Sequence, residues 1–314
     1  MRPMRPSGPI FCLASGAAFG AMAIFAKLAY GQGATVGTVL AVRFTFAAAL
    51  FWLLMLRTGG VRELRSLPRR DIRAGLALGA CGYAIQSGCY FAALEHIEAS
   101  LLSLLLYTFP AMVAAAAVVL GRERMTPRRL TALALASSGL VLVLAGAGAG
   151  SAGLDAIGVA LGLSAAVVYS AYILVSDGVV GRMSPAVLSA LVCSGAAVSL
   201  ITGSAALGQL RPAEVSTAGW GWLACIAVVS TVVAISFFFA GLRRVGPTAA
   251  SILATVEPLV TVLLAFLVFG ETLGAVQIAG GTLVLAAVVV LQAPSVALIS
   301  LAPRWRSAKA RSGT

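Results

Sequence analysis

The chain has 314 residues, of which 60% are hydrophobic and only 10% charged, and its mean hydropathy is +1.02. Soluble domains are about half apolar and one-quarter charged, so the composition excludes a water-soluble fold and indicates an integral membrane protein. A net charge of +12 would suggest nucleic acid in a soluble chain, but here the arginines fall between apolar stretches, with no basic patch interleaved with aromatics. No nucleic-acid partner is expected, and the lipid bilayer takes its place.

In chain order, apolar stretches of about 20 residues, enough to cross a hydrocarbon core, are expected at Ile10 to Tyr30, Thr35 to Leu56, Ala74 to Leu94, Ala99 to Leu120 and Thr131 to Ala147. A second set covers Leu154 to Val175, Ser184 to Leu207, Ala218 to Leu242, Thr248 to Phe269 and Leu273 to Leu291, with Gly148 to Gly153 as linker. Arg2 and Arg5 before an apolar run imitate a signal peptide, but the run continues to Tyr30 at spanning length, so a retained first span is expected. The expected fold is all-α and polytopic: ten transmembrane helices as two five-helix repeats, residues 10–147 and 154–292, with cytoplasmic tails at 1–9 and 293–314.

Tyr90 to Val143 and Phe238 to Leu291 align without a gap, pairing Phe91 with Phe239, Pro110 with Pro258 and Glu123 with Glu271. Identity is only roughly one position in five, so the register of landmarks carries the repeat. Because five helices is an odd number, the second copy enters from the opposite face, an inverted repeat of the kind that builds transporters. Charge supports this: with the N-terminus inside, the Arg57 to Arg73 and Arg122 to Arg129 loops, Arg182, Arg243, Arg244 and the C-terminal basic tail all fall on the cytoplasmic side. The outer loops keep Arg211 beside Glu95, Glu98, Asp155, Glu214 and Glu271.

Lys27, Arg43 and Glu257 are the ionisable residues within spans, and each costs about 2.5–3.5 kcal/mol to insert, so each is expected to face a cavity or a partner. Glu257 lies roughly 14 Å into its span, near the midplane, whereas Lys27 is close enough to the outer end to snorkel. Pro258 frees the Ala254 carbonyl, to which a protonated Glu257 could donate; the first copy has Phe109 at the equivalent position. Polar side chains recur at helical spacing at Ser100, Ser103 and Tyr107, at Thr248, Ser251 and Thr255, and at Tyr83, Gln86, Ser87 and Tyr90. These faces are expected to meet across a central cavity, with a weaker stripe at Tyr169, Tyr172 and Ser176. The candidate substrate-binding set is therefore Lys27, Arg43, Tyr83, Gln86, Tyr90, Tyr107, Ser251, Thr255 and Glu257. Gly16 with Gly20, and Gly158 with Gly162, form GxxxG pairs that mark close packing, within the chain or in a homodimer.

Phe19-Gly20 followed by Lys27, Arg43, the Tyr90-Phe91-Ala92-Ala93-Leu94 run, the Pro110 helix ending in Glu123, and Glu257-Pro258 to Gly270-Glu271 resemble the EamA-type transporters of the drug/metabolite transporter superfamily. The likeness covers Ile10 to Leu291, with Phe19 where the family often has Trp and Arg122 replacing Gly in the first Gly-Glu pair. It implies ten helices, cytoplasmic termini, a substrate route between the halves bordered by the fourth and ninth helices, and peripheral fifth and tenth helices. The family spans amino acids, sugars, nucleotide derivatives and drugs, so it names no substrate.

The function expected is export of a small polar or amphipathic metabolite across the bacterial cytoplasmic membrane by alternating access, with no cofactor and with a proton as a candidate coupling ion. Arg43 would attract an anionic group, and Glu257 would bind an amine or exchange a proton. Against an embedded hydrolase stand the lone His96 and the lack of any HExxH, and against an ion channel the lack of a ring of repeated charges. A non-transporting membrane adaptor is the rival that packing alone permits.

Overall fold

The computed structural model describes residues 7–122, 124–148, 155–245, 250 and 253–292. Glu123, Thr248, Ser251, residues 1–6 and 293–314 of the tails and most of the expected linker lie outside the described residues, and residues 7–9, expected in the N-terminal tail, belong to the first helix. The first apolar stretch is α1 (Ser7–Gly20) and α2 (Met22–Tyr30), broken at Ala21. α3 (Val36–Thr58) follows, capped by the Thr35 side chain, which accepts from the Thr38 N–H. The Arg57 to Arg73 segment, expected as a loop, holds α4 (Gly60–Ser66) and the start of α5 (Arg69–Ala77). α5 continues through a π-helical stretch, Leu78–Tyr83, into α6 (Ala84–Ala93). α7 (Ala99–Leu106) and α8 (Phe109–Val119) are separated by a turn at Tyr107 and Thr108, and α9 (Pro127–Gly148) completes the first repeat.

The second repeat has α10 (Ala156–Val180), α11 (Pro185–Ala206) and α12 (Thr217–Ala227), then a second π-helical stretch, Val228–Val233, leading into α13 (Ala234–Val245). A turn at Thr255 precedes α14 (Val256–Phe269), and α15 (Ala275–Gln292) ends the described chain. Among the described residues, eight helices are long and apolar enough to cross a bilayer, and α14 is a shorter apolar helix. The rod Arg69–Ala93 is not among the eight, although it is helical without interruption.

The two repeats interleave: α1 packs on α13 and α14, α3 on α11, α6 on α10, and α9 on α15. Small residues permit these contacts, because bulkier ones would hold the backbones apart. A Cβ at Gly280 would come within 2.6 Å of the Gly139 carbonyl oxygen, and one at Gly16 within 2.5 Å of Val256 Cγ1. Gly158 and Gly162 likewise face Ile97 and Leu102, so both GxxxG pairs are engaged inside the chain. Asp155 caps α10 by accepting from the Ile157 and Gly158 N–H groups at 2.8 and 3.2 Å, and it pairs with His96 at 2.9 Å.

At one end of the bundle a single carboxylate ties the repeats together. Glu271 accepts from Lys27 Nζ at 3.0 Å, from the Ala99 and Ser100 N–H groups at 3.1 and 3.0 Å, and from the Ser100 hydroxyl at 2.7 Å. Two of these donors are the unpaired first-turn N–H groups of α7, where a negative charge is favoured by the helix dipole. Burial pushes the Glu271 carboxyl up, but the Ser100 and Lys27 donors outweigh it and hold it below the usual carboxylate range. At the other end Arg182 pairs with Asp71 at 2.8 Å.

Two outcomes follow in purified protein. Gly280→Val should force α9 and α15 apart and cost about 1–3 kcal/mol of stability, read as a lower unfolding midpoint in detergent; an unchanged midpoint would contradict this packing. Glu271→Ala should cost about 1.5–3 kcal/mol, and Lys27→Met less, because three donors to Glu271 remain. Since the carboxyl is depressed in the folded state, its stabilisation is fully present above the ordinary Glu range and is lost as pH falls through the depressed value. The acid limb of the stability curve should therefore be shallower in Glu271→Ala than in the parent.

Candidate functional site

The π-helical stretches supply the first unusual geometry. Such turns widen the helix and disturb its hydrogen-bond ladder, and they recur at functional positions. In the second one the Thr231 hydroxyl donates to the Ile226 carbonyl at 2.9 Å, five residues back. Arg43 of α3 reaches this point. It is 2% exposed, its Nε donates to Thr231 Oγ1 at 3.0 Å, and one Nη lies 3.5 Å from the Tyr83 hydroxyl, at the end of the other π-helical stretch. The rings of Phe44, Phe91 and Tyr83 lie 4.8, 5.3 and 6.0 Å from the guanidinium carbon. Among the described residues Arg43 forms no ion pair, and a guanidinium with five N–H donors keeps capacity for an anionic oxygen.

Three helix interruptions supply the second. The breaks at Ala21, at Tyr107 with Thr108, and at Thr255 lie side by side. The Thr261 hydroxyl donates to the Gly20 carbonyl at 3.0 Å, and a Cβ on Gly20 would come within 2.6 Å of the Glu257 carbonyl oxygen. The Ser15 hydroxyl donates to the Ala234 carbonyl at 2.7 Å, just beyond the second π-helical stretch. Pro258 has no N–H for the Ala254 carbonyl. The Tyr107 hydroxyl fills that need from 2.9 Å, and the same oxygen lies 3.0 Å from Glu257 Oε2. The structure thus corrects the expectation that Glu257 donates to Ala254: tyrosine from the other repeat does so, and the carboxyl rests on the tyrosine.

Between these features lies a cavity of 370 Å³. Arg43, Tyr83, Gln86, Tyr90, Tyr107, Thr255 and Glu257 all line it. Lys27 does not; it is held in the Glu271 cluster, and Ser251 lies outside the described residues. Sequence reasoning did not assign Ser15, Phe19, Phe109, Phe238 or Gln292 to the lining. Val288 and Gln292 bring α15 to the cavity, so the tenth apolar stretch is less peripheral than the family resemblance implies. The Gln292 side-chain oxygen is buried there without a hydrogen-bond partner.

An arc of aromatic rings joins Arg43 to Glu257. From Phe44 beside Arg43 it passes to Tyr83 at 5.3 Å, Tyr172 at 5.6 Å, Tyr169 at 6.3 Å, Phe109 at 4.6 Å and Tyr107 at 5.9 Å, which holds Glu257. A largely apolar wall with a few fixed polar groups is the usual construction of a small-molecule site. No group of three or more His, Cys, Asp or Glu residues capable of holding a metal occurs among the described residues.

Comparison with known proteins agrees with this architecture. An uncharacterized transporter of Bacillus subtilis (strain 168), YcbK, is 30% identical over 286 residues, covering 87% of this chain and 89% of its own. An uncharacterized transporter of Archaeoglobus fulgidus is 30% identical over 271 residues, covering 86% and 91%. A solved crystal structure shares the fold with a TM-score of 0.62 at 19% identity, over 91% of this chain and 96% of that one. The EamA-like transporter family model matches residues 6–145 and again residues 156–292. This multi-span membrane protein, with that domain present twice, belongs to the EamA-like transporter family.

Proposed function

We propose that the chain exports a small polar or amphipathic metabolite, amino acid-like or drug-like, across the cytoplasmic membrane by alternating access. The observation that carries this reading is the cavity, which is lined from both repeats and holds Arg43 at one end of the aromatic arc and Glu257 at the other. A solute with an anionic group would exchange water for the free Arg43 donors, and its apolar body would lie against the tyrosine and phenylalanine rings. Gln86 and Thr255 add neutral hydrogen-bonding groups. An adaptor has no need for such a cavity.

In this reading the membrane holds ten spans, the rod Arg69–Ala93 included, and both termini are cytoplasmic because the arginine-rich connections gather on one side. The Lys27, Ser100 and Glu271 cluster then faces outward. On its helix pair the lining begins at Leu106, about 9 Å beyond Ser100 at ~1.5 Å per residue. The lining continues to Ile173, Phe238 and Gln292, near the helix ends on the cytoplasmic side. That arrangement supports an inward-facing state with its outer end closed, and rocking of the two repeats would expose the same site outside.

The test is a thermal-shift screen of anionic, zwitterionic and cationic metabolites on the purified protein. A ligand of the folded form at 100 times its Kd should stabilise it by about 2.7 kcal/mol. Arg43→Ala and Glu257→Gln should each remove the shift and then abolish counterflow of the same compound in proteoliposomes. Full counterflow in both variants would refute the assigned roles.

A further inference from the structure

The Tyr107 hydroxyl carries one proton and faces two acceptors, the Ala254 carbonyl at 2.9 Å and Glu257 Oε2 at 3.0 Å. No second donor to the Ala254 carbonyl is present among the described residues, because Pro258 has no N–H to offer. If Tyr107 donates to Ala254, the close approach of Glu257 is a hydrogen bond only when Glu257 carries a proton and donates it to the tyrosine oxygen. If Glu257 is ionised, the stronger acceptor draws the tyrosine proton and the Ala254 carbonyl loses its tyrosine donor. The charge of one carboxyl thus decides whether the break at Thr255 is closed by a tyrosine of the opposite repeat.

We propose that Glu257 is the proton-binding site of this transporter, and that Tyr107 links its protonation to the break that opens α14. The inference rests on the transport reading above and names the coupling ion for the same cavity. On discharge the carboxyl O–H bond breaks, its electron pair stays on the carboxylate, the proton passes to cavity water, and the Tyr107 O–H swings from Ala254 to Glu257. No tyrosinate forms, and reprotonation reverses each movement.

The groups facing Glu257 suit this role. Tyr107 comes from the junction of α7 and α8, and Arg43, Tyr83, Tyr90 and Tyr169 line the same cavity. α1 and α2, which also pack on α14, place Ser15, Phe19 and Met22 in the lining, and Lys27 is committed to Glu271. The first repeat has Phe109 at the equivalent position, so the duplicated frame holds one such carboxyl and the stoichiometry is one proton per chain.

The test uses the proton alone as probe: a pH titration of the full chain in lipid nanodiscs, followed by infrared difference spectroscopy. A carboxylic-acid C=O band and a tyrosine C–O band should change together over the same pH range. Glu257→Gln should abolish both, Tyr107→Phe should keep the carboxyl band and lose the tyrosine one, and Pro258→Ala, which returns an N–H to Ala254, should uncouple them. If Glu257→Gln does not fold, 13C-glutamate labelling with Tyr107→Phe identifies the bands in its place. A carboxyl band that still changes together with the tyrosine band in Glu257→Gln, or a tyrosine band that survives Tyr107→Phe, would overturn the proposal, as would the absence of the coupled bands. Ligand stabilisation without the coupled bands would sink this inference and leave transport standing. Coupled bands in a protein that responds to no metabolite would do the reverse.

Discussion

A bilayer offers no water to a broken helix, so every carbonyl freed inside the membrane must find its donor within the protein. In this chain several of those donors are side chains of the opposite repeat. Tyr107 serves Ala254 and Thr261 serves Gly20, and the Ser15 hydroxyl adds a third bond between the repeats at Ala234, each across more than 140 positions of sequence. Other hydroxyls bond within their own segment, Thr231 to Ile226 and Thr108 to Leu105. The irregular backbone beside the cavity is therefore also one of the places where the two repeats are joined.

The repeats share a frame and differ in chemistry. Each has a π-helical stretch in its third apolar stretch and a break with a proline in its fourth. Yet Tyr83 approaches Arg43 from one π-helical stretch and Thr231 from the other, and Glu257 answers to Phe109. Symmetry of the frame suits a site exposed to each side in turn. Asymmetry of the side chains gives the cavity a cationic end and a carboxyl end, joined by rings.

Much of this was legible in the sequence. Hydropathy located the apolar stretches because lipid tolerates little else, and polar residues at helical spacing predicted that Tyr83, Gln86, Tyr90, Tyr107 and Thr255 share a cavity. The π-helical stretches left no trace, since one extra residue per turn changes no composition in LGACGY or VVSTVV. The Glu271 cluster was hidden for a different reason. Its donors at Ala99 and Ser100 are backbone and hydroxyl groups 172 and 171 residues away, which no charge pattern pairs with a carboxylate. Lys27, placed by its depth close to the outer end and included among the candidate substrate-binding residues, finds its partner in this cluster at the bundle end. The Tyr107 bond to Ala254 could have been sought from Pro258 alone, but its donor came from the other copy.

The central claim, a cavity between the repeats that carries a few fixed polar groups, opens at one end and is closed at the Glu271 end, is tested most directly by thiol accessibility in oriented membranes. In a background without native cysteines, Ile173→Cys, Thr255→Cys and Gln292→Cys should react with a membrane-impermeant maleimide from the cytoplasmic side, while Ala99→Cys should stay protected from both sides. Protection of all the first three, or equal labelling of Ala99→Cys, would contradict the account.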